Sequence, residues 1–452
     1  MKPDLDTAVA ADAPSGAPPA QWQATRTGWY TVWLIALVTM LSNIDRSIVN
    51  LLVQPIKRDL LLSDTQMSLI IGFAFSLFYM LVGLLMSRVA DVRSRKLILV
   101  IGLSVWSIAT AVCGMAKSFG QLFVARGIVG GAESVAGPSS MSMISDLVPK
   151  HRLPRAFAIY QLGISAGQAG AMFFGGLLVA LFIGIGPIQL PLLGLAREWQ
   201  LVFLVCAVPG LLTALLFLFT VREPVRRGRK TTGSVPLREV GAFLLQNRAL
   251  YIPLLLSIGI GSIETVGLMT WRPAFYERTY GWTAGQIGPL LGLSMLISTP
   301  IALIAGTWLA EFMNKRGGPD AMLRVCFITQ AISAPFAIAT SLMPSPWLAF
   351  GCGICASIFG MMSAPAQNSA IQMVTPNEMR AQISAVYLFT ISVIGTALGP
   401  LIVALVTDFL LKDEAMLRYS MCGFAAVMAP GGAYLMFRAM KPYGLAIAKG
   451  EG

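Results

Sequence analysis

Histidine is almost absent from this chain. One residue, His151, stands among 452 positions, so neither a histidine-based metal centre nor a Ser/His/Asp nucleophile set is expected. Charge is scarce as well. Asp, Glu, Lys and Arg make up 12% of the residues, against about 25% in a soluble domain. There is no glycine-rich phosphate loop of the Walker type, which argues against an ATP-driven pump. The six cysteines all fall in or beside apolar stretches. Cys352 and Cys355 form a C-G-I-C run, but inside a stretch that reads as a helix, so small packing residues are expected there and not metal or redox chemistry. No cofactor, no metal and no enzymatic activity are expected.

What the chain has in quantity is apolar surface. Hydrophobic residues account for 56%, and the mean hydropathy is +0.72. They come in long runs and do not alternate, which selects helices over outer-membrane strands. The net charge of +12 does not make nucleic acid an expected partner. Most Lys and Arg stand in short breaks between apolar runs, where they act as orientation signals.

Residues 1–27 are rich in Ala, Pro, Asp and Ser and read as a disordered tail; they lack the apolar core of a signal peptide. Twelve spans follow, at 28–54, 65–88, 96–116, 119–147, 153–183, 198–221, 249–277, 284–312, 321–343, 346–374, 379–409 and 416–438. Each is longer than the roughly 20 residues needed to cross the hydrocarbon. The expected fold is an all-α membrane protein with twelve transmembrane helices in two pseudo-symmetric six-helix bundles. The expected bundles are 28–222 and 249–440, with a linker at 223–248 and a tail at 441–452. The linker holds the basic run RRGRK. Basic residues crowd the linker and the breaks holding Arg93, Arg95 and Lys96, or Lys315 and Arg316, which puts both termini in the cytoplasm.

The halves look like parallel repeats. Ser87-Arg-Val-Ala-Asp91-Val-Arg-Ser-Arg95-Lys96 aligns with Thr307-Trp-Leu-Ala-Glu311-Phe-Met-Asn-Lys315-Arg316. In each an acid precedes a basic pair at a helix end. Such a set is expected to act as a charge lock that favours one state of a rocking transporter.

Within the spans, charges are expensive and mark function by default. The first span carries Asp45 and Arg46 side by side, and the fourth carries Arg126 and Glu133. Seven residues separate the latter two, about 10 Å along one helix face, too far for a simple direct pair. Depth along the two spans predicts an Asp45–Arg126 pair with Arg46 and Glu133 nearby. Two acids and two bases then balance in a low-dielectric site. The set reads either as a static network holding the first bundle together or as one that responds to protons or substrate. Glu264, on the seventh span, has no basic residue within a few turns. With Gln168, Gln367, Asn368 and Tyr79, it is a candidate for the cavity wall; the amides are as readily explained by hydrogen bonding between helices.

The loop of Asp91, Arg95 and Lys96 resembles the signature loop of the major facilitator superfamily, with Ser87 and Ser94 where glycines are usual. Within that superfamily the chain is similar to the bacterial Spinster-like branch. The residues that carry this are Ile44-Asp45-Arg46, Val53-Gln54-Pro55-Ile56-Lys57, Leu62-Ser63-Asp64-Thr65-Gln66, Ala125-Arg126-Gly127, Gly131-Ala132-Glu133, the SMISDLVP run from Ser142 and TVREP from Thr220. The resemblance implies secondary active transport by alternating access in a bacterial inner membrane. It implies an amphipathic, lipid-like or organic solute, and protons coupled through Asp45, Arg46, Arg126 and Glu133. A proton symporter importing a small organic acid, such as an aromatic or sugar-derived carboxylate, is the second reading. The expected partners are the solute, protons and membrane lipids, and the expected state is a monomer.

Overall fold

A computed structural model describes residues 26–149, 152–190, 194–224, 237–376 and 378–448, the side chains of 87–92, 190 and 381 excepted. The expected tail therefore lies almost wholly outside the described residues, as do His151 and the RRGRK run.

Helix α1 (Arg26–Ile48) is followed by a short α2 (Val53–Leu60) and by α3 (Asp64–Ser68). Ser63 starts α3 with a capping box: its hydroxyl accepts from the Gln66 N–H, and the Gln66 side chain accepts from the Ser63 N–H. A π-helical turn, Leu69–Ala74, then leads into α4 (Phe75–Val92). Ser94 caps α5 (Arg95–Cys113) by accepting from the Leu97 N–H.

The fourth expected span is broken in two, α6 (Phe119–Glu133) and α7 (Ala136–Leu147). Pro138 explains the break. It has no N–H to offer the Ser134 carbonyl, and its ring excludes that carbonyl from the helix. The Ser134 hydroxyl instead donates back to the Gly131 carbonyl at 2.6 Å. Among the described residues, eleven helices are long and apolar enough to cross a membrane alone; α6 and α7 together make the twelfth.

Next come α8 (Leu153–Ile185), an antiparallel ribbon of β1 (Ile188–Leu190) and β2 (Gly194–Ala196), and α9 (Glu198–Thr220). The ribbon was not expected. Inside the expected linker stands α10 (Leu237–Gln246), whose Val240 is buried. The second half continues with α11 (Arg248–Tyr280), α12 (Ala284–Lys315), α13 (Ala321–Leu342), α14 (Pro346–Val374), α15 (Arg380–Phe389) and α16 (Gly395–Leu405). π-helical turns at Thr390–Ile394 and Val406–Leu411 flank α16. Two boundaries need correction. The first span ends at Ile48 and not at 54, and α17 (Leu417–Ala448) takes in most of the expected tail. The added turns are held because Tyr443 is buried, with its hydroxyl 3.8 Å from Met373 Sδ.

Leu84, Leu85, Leu212, Phe219, Ile304 and Phe409 expose most of their apolar side chains. Such a surface belongs in lipid. Arg26 and Ala448, the first and last described residues, lie at one end of the bundle, here the terminal end; the α1–α2 turn marks the distal end. The halves meet along α8 against α12 and along α3 and α4 against α16. Glycine permits the first contact: a Cβ on Gly292 would stand 2.6 Å from the Ala169 carbonyl oxygen. Among the described residues, the ion pairs that join the halves all lie at the distal end.

Candidate functional site

Asp45 and Arg46 sit in the last turn of α1, and Glu133 is the last residue of α6 before the proline break. Asp45, Arg126 and Glu133 are 3%, 0% and 2% exposed. Glu133 Oε2 accepts from Arg46 Nη2 at 3.1 Å and from the Ser42 hydroxyl at 2.9 Å. Arg46 therefore pairs with Glu133. The expected Asp45–Arg126 ion pair is not formed. Arg126 Nη1 donates to the backbone carbonyl of Asp45 at 3.2 Å. A carbonyl oxygen has two lone pairs, so that of Asp45, in the last turn of α1, can take a side-chain donor besides a helical N–H.

The four charges are unevenly satisfied. Nε and Nη2 of Arg126, Nε of Arg46 and Oε1 of Glu133 are buried with no hydrogen-bond partner among the described residues. Phe75 fills part of the gap. Its ring centroid is 4.4 Å from the Arg46 guanidinium carbon and 5.6 Å from that of Arg126. Tyr79 stacks on Phe75 at 5.7 Å and lies 5.4 Å from Arg46. The π-helical turn just before Phe75 sets the rotation of this aromatic pair; such turns are common at functional sites. Gly130 lets the backbones close: a Cβ there would stand 2.3 Å from the Phe75 carbonyl oxygen. Ser42 was missed from the sequence, although it lies one turn before Arg46 on the same face. Phe75 was missed because its register depends on the π turn.

The remaining cavity candidates fall on α8, α11 and α14. Glu264 is half-buried on α11, with no hydrogen bond or ion pair among the described residues. Gln168 is half-buried on α8. Gln367 Nε2 donates to Ser363 Oγ at 3.0 Å and Asn368 Nδ2 to the Ala364 carbonyl at 3.1 Å. Both amides are thus bound within α14 and do not bridge helices. Arg272 lies within α11, its Nη1 3.4 Å from Ser357 Oγ and its buried Nε without a partner among the described residues.

Arg95 of the expected first charge lock has acidic partners that were not expected. Arg95, only 2% exposed, pairs with Asp146 and with Glu223 Oε1 at 3.0 Å. It also donates to Ser142 Oγ at 2.8 Å and to the Pro224 carbonyl at 2.9 Å. Asp91, the expected partner, has its side chain outside the described residues. Glu223 further accepts from the Ser94 hydroxyl at 2.7 Å and from the Lys96 N–H at 2.8 Å. Partial burial opposes its charge, but the Lys96, Ser94 and Arg95 donors win and hold its carboxyl below the ordinary glutamate range. Arg95, Asp146 and Glu223 thus clamp α5, α7 and the end of α9. The echo in the second half makes no such clamp. Glu311, Lys315 and Arg316 are exposed with no ion pair among the described residues, and Arg316 lies over the Phe312 ring at 4.2 Å. The aromatic neighbour one turn back offers Arg316 a partner that the loop before α5 does not have.

A further polar cluster closes the distal end; Lys57, Asp64 and Thr65 stand in the quoted motifs, but their partners in the second half were not expected. Arg278 grips buried Asp64 with both Nη atoms, each at 2.7 Å. Lys57 pairs with Asp64 and with Glu414 at 2.6 Å. Arg58 pairs with Glu277 at 2.7 Å, and the Thr65 N–H and hydroxyl both donate to Asp408 Oδ2 at 2.7 Å. These contacts tie α2 and α3 of the first half to the second half.

Known proteins share this architecture. The family model of the Major Facilitator Superfamily matches residues 35–400. An MFS-type efflux pump of Mycolicibacterium smegmatis is 27% identical over 86% of this chain and 86% of its own length. A galacturonate transporter of Dickeya chrysanthemi is 24% identical over 73% of this chain and 94% of its own. The crystal structure of a bacterial homologue of the human lysosomal transporter Spinster, inward-facing and unoccupied, superposes with a TM-score of 0.77. That pair is 24% identical and covers 94% of this chain and 98% of the other. With the family model spanning most of the sequence and the two-bundle fold in place, this chain belongs to the Major Facilitator Superfamily.

Proposed function

We propose that the protein is a proton-coupled secondary transporter that moves an amphipathic lipid-like or organic solute by alternating access. It works as a monomer in a bacterial inner membrane with both termini in the cytoplasm. In that orientation the distal cluster is the outer gate, and its closure belongs to a state open to the cytoplasm. The observation that carries the reading is the Asp45, Arg46, Arg126 and Glu133 network. Its guanidinium and carboxylate atoms are buried but only partly bonded, so rearrangement costs less than in a saturated network.

Asp45 and Glu133 are the proton carriers in this reading. When rocking draws Arg126 away from α1, a carboxylate loses its counter-charge, and a proton takes its place. When Arg126 returns, the proton is expelled. Substrate meets the same wall through Arg46, Phe75 and Tyr79, which together offer a cation and an aromatic face. Glu264 and Arg272 supply the polar groups of the opposite half.

The second reading, symport of a small organic acid, rests on the spare donors of Arg126 and Arg272, which suit a carboxylate. The similarity to a galacturonate transporter favours it. An uptake screen in proteoliposomes separates the two. Lysolipids and organic acids are offered together, with and without a pH gradient. Gradient-dependent movement of the lysolipids supports the first reading, and movement of acids alone replaces it with the second. Movement that ignores the gradient for every solute overturns proton coupling.

A further inference from the structure

A further cavity lies away from this network. It is a groove of about 1130 Å³ at the terminal end, between the start of α11 and the end of α17. Its rim carries Arg248, Arg438 and Lys441, and its walls include Ile252 and Leu256. These two wall residues are 48% and 52% exposed, so the groove opens sideways towards the hydrocarbon and not into the protein.

Charge decides what fits. None of the three rim cations has an acidic partner among the described residues. Arg438 donates to the hydroxyl of Tyr434 at 3.2 Å, and that is a neutral contact. One acid, Asp320, also lines the groove. It is already held by Arg324, whose Nη2 lies 2.9 and 3.1 Å from its two carboxylate oxygens. The rim is therefore left with three uncompensated positive charges above an apolar wall. Single surface cations at a helix end serve as orientation signals and need no ligand. Three that converge on one cleft, with lipid-facing aliphatic walls below them, form the basic pocket between helices that recognises lipid headgroups.

We propose that this groove is a binding site for an anionic phospholipid of the adjoining leaflet. The phosphate lies between Arg248, Arg438 and Lys441, and an acyl chain runs down over Ile252 and Leu256. A free anion would use the rim but leave the wall exposed; a zwitterionic lipid would cover the wall but bring its own cation to the rim. The anionic lipid matches both. Because α11 and α17 pack along their length, the bound lipid braces the terminal end of the second half, independently of which solute the transporter moves.

The test is native mass spectrometry of the intact protein with phosphatidylglycerol, phosphatidylcholine or inorganic phosphate added. A triple variant, Arg248→Gln/Arg438→Gln/Lys441→Gln, is compared with a control that removes the same kind of charge at the distal end, Lys117→Gln/Lys412→Gln. All five side chains belong to exposed residues, so both variants are expected to fold. The native protein and the control should retain phosphatidylglycerol over phosphatidylcholine, and the triple variant should bind it about 100-fold more weakly. Equal retention of phosphatidylglycerol by the triple variant, or equal retention of the two lipids by the native protein, overturns the proposal. So does inorganic phosphate that displaces the lipid at low concentration, since the site would then be one for a free anion.

Discussion

Arg126 directs Nη1 at the backbone carbonyl of Asp45, 3.2 Å away, and makes no ion pair with the Asp45 carboxylate. This one contact fixes α6 to the end of α1 while leaving two guanidinium nitrogens without partners. An arginine held by a neutral carbonyl can be pulled away more cheaply than one locked into a buried ion pair. Arg126→Lys should keep the charge but lose the forked reach. Transport should drop by more than tenfold, while thermal stability changes by only a few degrees. A transport assay with a parallel melting curve checks both.

The distal gate gives a second expectation. Arg278 places two charge-assisted bonds on Asp64, which is fully buried. Arg278→Gln removes both bonds and leaves Lys57 as the carboxylate's remaining cation, at a cost of about 1.5–3 kcal/mol in the gated state. The equilibrium should shift by about tenfold or more towards a state open at the distal end. Spin-label distances between the α2–α3 turn and the α16–α17 turn should lengthen.

The Arg95 clamp carries a pH dependence. Glu223 is held below its ordinary range, so its bonds stabilise the clamp above about pH 4 and are lost as the pH falls through the lowered value. Backbone hydrogen exchange at Lys96, whose N–H donates to Glu223, should accelerate under acid conditions. At neutral pH, Glu223→Gln should produce the same acceleration.

Close backbone approach makes a fourth expectation. A Cβ on Gly130 would meet the Phe75 carbonyl oxygen at 2.3 Å. Gly130→Ala should therefore part α6 from the π turn, disturb the aromatic pair beside Arg46, and lower both the melting temperature and transport. Gly137, on α7, has open space where a Cβ would stand, and Gly137→Ala should do neither.

The sequence carried the coarse plan and lost the fine contacts for identifiable reasons. Apolar run length and loop charge revealed the spans, because lipid punishes any other pattern. The four network residues were legible as misplaced charges. Their pairing was not, since depth arithmetic locates a side chain but not the carbonyl it will find. The break after Glu133 was written in Pro138, whose missing N–H was overlooked within a long apolar run. Asp146 and Glu223 stood in quoted motifs, SMISDLVP and TVREP, yet their meeting with Arg95 requires three helix ends to converge. Arg278 and Glu414 were hidden because they look like ordinary loop charges until the two halves are brought together.

The central claim is that the α1–α6 network couples protons to transport. Asp45→Asn in proteoliposomes tests it most directly, with gradient-driven uptake and solute counterflow measured on the same preparation. Coupling through Asp45 predicts that pH-gradient-driven accumulation is lost while counterflow, which needs no net proton movement, persists. Full gradient-driven accumulation by Asp45→Asn would contradict the account.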